Sequence, residues 1–335
     1  MLGRVLAVFE PFILALLGTV LLATFAPARG AAVPVFDLVT DIGILLLFFL
    51  HGAKLSRQAI LDGARNWKLH LATLAVTFML FPLLGMGFAL LPFVAGPAAA
   101  GILFLTLLPS TVQSSIAFTA IARGNVAAAV CSASFSNLLG IFVTPMLVAL
   151  LMAQAGHSNT VSIDSVEKIA LQLLLPFVLG HLLRPLIGGF VARHKKLLTL
   201  VDRGSILLVV YTAFSAAVVE GLWMRVSGAT LAMLLMLCCV LLGLVLALSC
   251  GLGKLLGFSR EDAIVLLFCG SKKSLASGVP MAGVLFPAAQ VGGIILPLML
   301  FHQIQLIVCA MIARRYARAD DTGKNQQELL AVNIE

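Results

Sequence analysis

Two adjacent lysines, Lys272 and Lys273, interrupt the apolar stretch Ala263–Phe286, in company with Gly270, Ser271, Ser274, Ser277, Gly278 and Pro280. With a helical rise of about 1.5 Å per residue, Lys273 lies roughly 18 Å from the charged entry at Glu261. In a hydrocarbon layer roughly 30 Å thick, that is near the midplane. A cation there costs at least ~2.5–3.5 kcal/mol on insertion scales, so it needs a partner, a cavity or a solute. The small residues, hydroxyls and proline at the same depth predict a broken helix, whose freed backbone groups sit beside the charge. The chemistry this offers is non-covalent. An ammonium can attract an anion or take the place of a metal cation among carbonyls, while hydroxyls orient the bound group.

Catalysis is a weaker reading of the same residues. Serines beside lysines invite comparison with Ser-Lys hydrolases, but nothing else suggests an oxyanion hole or a water-handling acid. The chain also has no Walker loop, dinucleotide fingerprint or nucleophile elbow. No enzyme is predicted, and ATP-driven pumping would need a separate subunit.

The elements that position the lysines follow from composition. Hydrophobic residues make up 61% of the 335, charged residues 11%, and the mean hydropathy is +1.11. No soluble core of this length is so apolar; the chain reads as a polytopic membrane protein whose solvent is the bilayer. The cysteines (Cys131, Cys238, Cys239, Cys250, Cys269 and Cys309) fall in or beside apolar runs and read as buried small hydrophobes. Neither they nor the histidines show metal-ligand spacing, so no metal and no cofactor is predicted. The first apolar run is span-length and reads as a retained helix rather than a signal peptide.

Apolar runs bounded by turns and charges predict ten spans: 5–26, 35–53, 70–94, 99–122, 125–153, 166–187, 203–222, 227–252, 262–285 and 289–313. Pro176, His181, Arg184 and Pro185 interrupt the sixth. One set of ends and loops holds Arg4; Lys54, Arg57, Arg65 and Lys68; Arg123; Arg184, Arg193, Lys195, Lys196 and Arg203; Lys254 and Arg260; and Arg314, Arg315, Arg318 and Lys324. The opposite set holds only Arg29, Lys168 and Arg225. This bias places both termini in the cytoplasm of a multi-pass cell (inner or plasma) membrane protein. It also accounts for the net charge of +8 without nucleic acid.

The fold class predicted is therefore all-α, with ten transmembrane helices in a 5+5 inverted repeat and two discontinuous crossing helices, spans 4 and 9. Residues 1–313 form one integral domain, repeat one about 5–153 and repeat two about 166–313. Residues 314–335 form a polar, loosely ordered cytoplasmic tail. The fourth and ninth spans match when Leu108-Pro109-Ser110-Thr111 is laid over Cys269-Gly270-Ser271-Lys272. Paired interrupted helices in matching halves point to a transporter's binding site. The predicted site joins Gln113, Ser114, Ser115 and Thr119 of the fourth span with Ser271, Lys272, Lys273 and Ser274 of the ninth. Ser132 and Asn137 of the fifth span complete it. Asp41, one turn deeper than Asp37, is the candidate counter-charge or proton-coupling acid. His302, with Gln290, Gln303 and Gln305, polarises the last span and reads as a hydrogen-bonded interior residue. Glu10 lies near the cytoplasmic end of the first span, within reach of solvent or Arg4.

The stretch Pro109–Pro145, with its Ala122–Asn125 turn and Thr144-Pro145, resembles the crossing-helix region of the bile acid:sodium symporter family. Phe49–Leu55 is similar to the end of that family's second span, and Gly270–Gly278 resembles the member-seven branch with its bacterial relatives. The resemblance implies a panel domain, a core domain in which spans 4 and 9 cross, and a solute path between the two. It implies sodium coupling in the sodium-using members, and here the chain departs from the pattern. Ser114 and Ser115 stand for Ser and Asn, Ala129 and Ala133 for Ser and Thr, Phe268 for the carboxylate, and Lys272 and Lys273 for amides. Sodium is thus left largely without its family ligands, and an ammonium could donate to the same carbonyls instead. The expected function is symporter-like secondary transport of a small organic anion, with or without a coupling ion. The alternative that the branch implies is a non-transporting membrane regulator linked to calcium homeostasis.

Overall fold

The computed structural model describes residues 11–54, 66–152 and 170–332. Arg4, Glu10, Arg57, Arg65 and Lys168 lie outside the described residues. The described chain is helical, without strands. Its elements are α1 (Pro11–Phe25), α2 (Ala32–Lys54), α3 (Trp67–Ala89), α4 (Gly96–Leu107), α5 (Gln113–Ile121) and α6 (Val126–Met152). They continue with α7 (Leu175–Arg193), α8 (Lys195–Val219), the single turn α9 (Leu222–Arg225), α10 (Gly228–Leu255), α11 (Arg260–Gly270), α12 (Leu275–Leu285) and α13 (Ala288–Val332). Among the described residues, seven helices are long and apolar enough to cross a membrane: α2, α3, α6, α7, α8, α10 and α13; α1 and α4 are shorter apolar helices.

Two predicted spans are each divided in two, for reasons written in the chain. Pro109 disfavours helical backbone in the residue before it, and Leu108 is extended at φ −78°, ψ 156°, so α4 stops. The second break spans Ser271–Ser274. Ser274 is extended, and its Oγ accepts from the Ser277 amide to start α12. Ser277, Gly278 and Pro280, expected to help break the helix, lie inside α12.

Other expectations need adjustment. The sixth span is uninterrupted from Leu175 to Arg193. It is preceded without a gap by a π turn over Ala170–Leu174, so Pro176 lies inside a continuous helix rather than at its start. The seventh begins at Lys195 rather than 203, so Asp202 and Arg203 are helical. The last helix runs on to Val332, through the region expected to be loosely ordered. Cys239 and Cys250 are exposed on α10, where a buried position was expected; the other cysteines are buried.

The helices pack in two groups. One comprises α1, α2, α7 and α8; the other is built around α3–α6 and α10–α13, and α8 contacts α12 and α13 across the boundary. Within the first group, α2 and α7 approach at reciprocal glycines. A Cβ on Gly52 would meet the Phe177 carbonyl oxygen at 2.0 Å, and one on Gly180 would meet that of Phe49 at 2.0 Å. Small residues of this kind let backbones approach where lipid offers no hydrophobic drive between helices. Gly180→Val is therefore expected to force α2 and α7 apart and cost upwards of about 1–3 kcal/mol. The check is the melting temperature of purified protein, which should fall; an unchanged value would refute the close packing.

Candidate functional site

The two breaks face each other, and most of the backbone groups freed at the end of α4 have identified partners. A helix leaves its last carbonyls without internal donors. At the end of α4, Leu107 O accepts from Thr144 Oγ1 at 2.8 Å, Pro109 O from the Ser274 amide at 2.8 Å, and Ser110 O from Asn137 Nδ2 at 2.6 Å. The Ser110 amide donates to Ser136 Oγ at 2.9 Å. Thr106 O and Leu108 O both accept from the Lys273 ammonium at 2.7 Å.

The third acceptor of that ammonium is Thr77 O at 2.8 Å. Its availability is a sequence effect in α3. Val76–Leu80 form a π turn, in which the Phe81 amide reaches back to Val76 O. The next amide in that register would serve Thr77 O, but residue 82 is proline and has none. Three ammonium hydrogens thus meet three orphaned carbonyls, with the Phe81 ring 4.1 Å from Nζ. The Lys273 backbone is held as well. Its amide donates to Gln305 Oε1 at 2.9 Å, and Gln305 Nε2 donates to its carbonyl at 3.0 Å. Gln305 Nε2 also donates to His302 Nδ1 at 2.8 Å, which leaves the proton of a neutral His302 on Nε2.

Lys272 is placed differently. It is also fully buried, but among the described residues its Nζ has one hydrogen-bond acceptor, Ser114 Oγ at 3.4 Å. The Phe118 and Phe268 rings lie 4.1 and 5.6 Å from it.

Beside the breaks is a cavity of about 410 Å³ between the two helical groups. On one side it is lined by Thr111–Ser114 at the start of α5, Asn137, Ser274–Ser277 at the start of α12, and His302. On the other it is lined by Phe48, His51, Lys54, Phe177, Asp202 and Arg203. The N-termini of α5 and α12 therefore both border it, and helix N-termini carry partial positive charge. Lys54 pairs with Asp202, and His51 Nδ1 donates to Leu47 O at 2.8 Å.

Of the predicted site residues, Gln113, Ser114, Asn137 and Ser274 line the cavity. Ser115 is buried, donating to Phe268 O at 3.1 Å. Thr119, a turn further on, has a buried Oγ1 without an acceptor. Ser271 is buried against Leu267 O. Ser132 pairs with His70 Nδ1 at 2.7 Å instead of facing the cavity. Neither lysine is among the cavity-lining residues, so direct contact between a lysine and a solute there, as the sequence suggests, is not the geometry found. Asp41 is exposed on α2 and does not line the cavity either.

Sequence reasoning missed His51, Asp202 and Arg203 as cavity residues and took His302 for an interior residue only. His51 and Lys54, one turn apart at the end of α2, were the available signal. Among the described residues, no three His, Cys, Asp or Glu side chains cluster as metal ligands.

A match to the SBF-like CPA transporter family model over residues 10–318 decides the family. The chain belongs to the SBF-like CPA transporter family. An uncharacterised protein of Pseudomonas aeruginosa is 60% identical, over 93% of this chain and 94% of its own length. The Escherichia coli protein provisionally named symporter YfeH is 53% identical, over 97% and 98%. The sodium/bile acid cotransporter 7 of Xenopus tropicalis is 25% identical, over 82% and 81%. This membership agrees with the resemblance to bile acid:sodium symporters read from the motifs, and the chain is a multi-pass membrane transporter.

The two lysines should respond differently to truncation of their charge. Lys273→Met leaves three buried carbonyls without donors, each worth about 1–3 kcal/mol. That is a large part of a typical stability of about 5–15 kcal/mol. Lys272→Met removes one long hydrogen bond. Thermal melting in detergent should show a much larger loss for Lys273→Met; equal losses would mean that the carbonyl cradle does not stabilise the crossing.

Proposed function

We propose that this SBF-like transporter is a secondary, symporter-like carrier of a small organic anion in the cell (inner or plasma) membrane. The observation that carries the reading is the cavity between the two helical groups, bordered by the N-termini of both α5 and α12. Two positive helix ends with serine and glutamine side chains around them favour a negatively charged group. Leu47, Phe48, Phe177, Ile206 and Met281 would cover an apolar body.

In this reading the chain crosses the bilayer ten times, as two five-span halves of opposite orientation, with both termini in the cytoplasm. The breaks between α4 and α5 and between α11 and α12 would take matching places in those halves. Lys54, Thr199 and Arg203 line the cavity near the basic ends of α2 and α8, and with those ends in the cytoplasm the cavity would open to that side. Rocking of the group containing α1, α2, α7 and α8 against the rest would carry the site to the other side.

Sodium plays no part in the proposed cycle. The Lys273 ammonium already occupies three carbonyls at the crossing, and the coordination that sodium favours is that of several oxygens. Lys273 would then be a fixed structural cation. The Escherichia coli relative is provisionally named a symporter, and a coupling ion other than sodium is compatible with that.

Binding is tested by melting purified protein across a panel of organic anions and simple cations. A ligand at a hundred times its Kd stabilises by about 2.7 kcal/mol. Stabilisation by at least one anion is expected. A protein indifferent to every anion would contradict the reading and favour a non-transporting regulator. Uptake into proteoliposomes at clamped membrane potential should not change when sodium replaces choline; a steep rise with sodium would refute sodium independence.

A further inference from the structure

The contrast between the neighbouring lysines asks for an explanation that a fixed scaffold does not supply. Lys273 uses all three ammonium hydrogens on carbonyls at 2.7–2.8 Å. Lys272 is equally buried, yet it has one acceptor at 3.4 Å and two aromatic faces. Aromatic faces offset only part of the cost of burying a charge. The titratable groups facing it are Cys269 on α11, Cys309 and His302 on α13, and Lys273. From α5 it meets Ser114 and Phe118. No described carboxylate forms an ion pair with it.

Lys272 is nevertheless one hydroxyl away from the cavity. Ser114 lines that cavity, and its Oγ lies 2.9 Å from Oγ1 of Thr111, which lines it too. An anion held at the N-terminus of α5 would stand next to Ser114 and supply the negative charge that Lys272 lacks.

The geometry points to Lys272 as the proton-coupling group of the cycle, binding a proton when the anion enters beside Ser114 and releasing it when the anion leaves. The step is a simple protonation: the Ser114 hydroxyl gives its proton to the amine lone pair and regains one from hydronium supplied by bulk solvent, leaving the ammonium and water. A monovalent anion and a proton then cross together with no net charge moved. This rests on the anion reading above and adds the coupling ion to it.

The test uses the full chain in detergent as wild type, Lys272→Met and Lys272→Arg. Arginine keeps its charge at all accessible pH. Melting is first followed against pH without any anion. The gap in melting temperature between wild type and Lys272→Met should change with pH; a constant gap would overturn the proposal. Naphthalene-2-sulfonate and hexanesulfonate, which stay ionised throughout, are then titrated calorimetrically in buffers of different ionisation enthalpy. Wild type should take up a single proton per anion bound, and both variants none. Equal uptake by Lys272→Arg would overturn the assignment. If neither sulfonate binds wild type, the anion reading loses support, and the melting comparison alone decides whether Lys272 titrates.

Discussion

A positive charge set among backbone carbonyls at the meeting of two broken helices is the constraint on which the rest of this structure depends. Breaking a helix inside a bilayer leaves amides and carbonyls that lipid cannot satisfy. Here they are satisfied by a small set of side chains. Lys273 serves Thr77, Thr106 and Leu108, Asn137 serves Ser110, Thr144 serves Leu107, and Gln305 pairs with both backbone groups of residue 273. The direct backbone bond from Ser274 to Pro109 ties the breaks together. Because α3 lends Thr77 through a π turn ahead of Pro82, three separate segments converge on one ammonium. A cation that lies within the fold does not need to be collected from solution.

This arrangement separates rigidity from binding. The crossing is buried and closely hydrogen-bonded around Lys273, whereas the adjacent cavity is lined by polar side chains such as Gln113, Ser114 and Ser274. The opposite wall comes from the group containing α2, α7 and α8, whose close packing at Gly52 and Gly180 makes it one piece. Its Lys54–Asp202 pair joins α2 to α8 in the cavity wall. A wall that is rigid within itself can move as a unit, which a site with alternating exposure requires.

Much of this was legible from the chain. Lys272 and Lys273 among serines, and Pro109 before Ser110, marked both breaks, because charge and proline are conspicuous in apolar helices. Ser114, Asn137 and Ser274 were found by their polarity at that depth. What could not be read was direction. Helical periodicity places Lys272 and Lys273 about 100° apart but does not say which carbonyls each can reach. The Thr77 acceptor depends on a π turn that no pattern in Val76–Leu80 announces. Asp202 fell just before the expected seventh span and Arg203 at its first residue, because basic residues at Lys195 and Lys196 masked the helix start. Ser132 was drawn into the site by its polarity and its place on the fifth span, while its partner His70 lies in another helix, remote in sequence.

The most direct measurement is cation rescue of Lys273→Ala. Removing the side chain should leave a space edged by three carbonyls that a small ammonium ion can fill. The melting temperature of the purified variant is then expected to rise with added ammonium or methylammonium and to stay unchanged with tetramethylammonium, which has no hydrogen to donate. A Lys273→Ala protein as stable as wild type, or one indifferent to ammonium, would contradict the account.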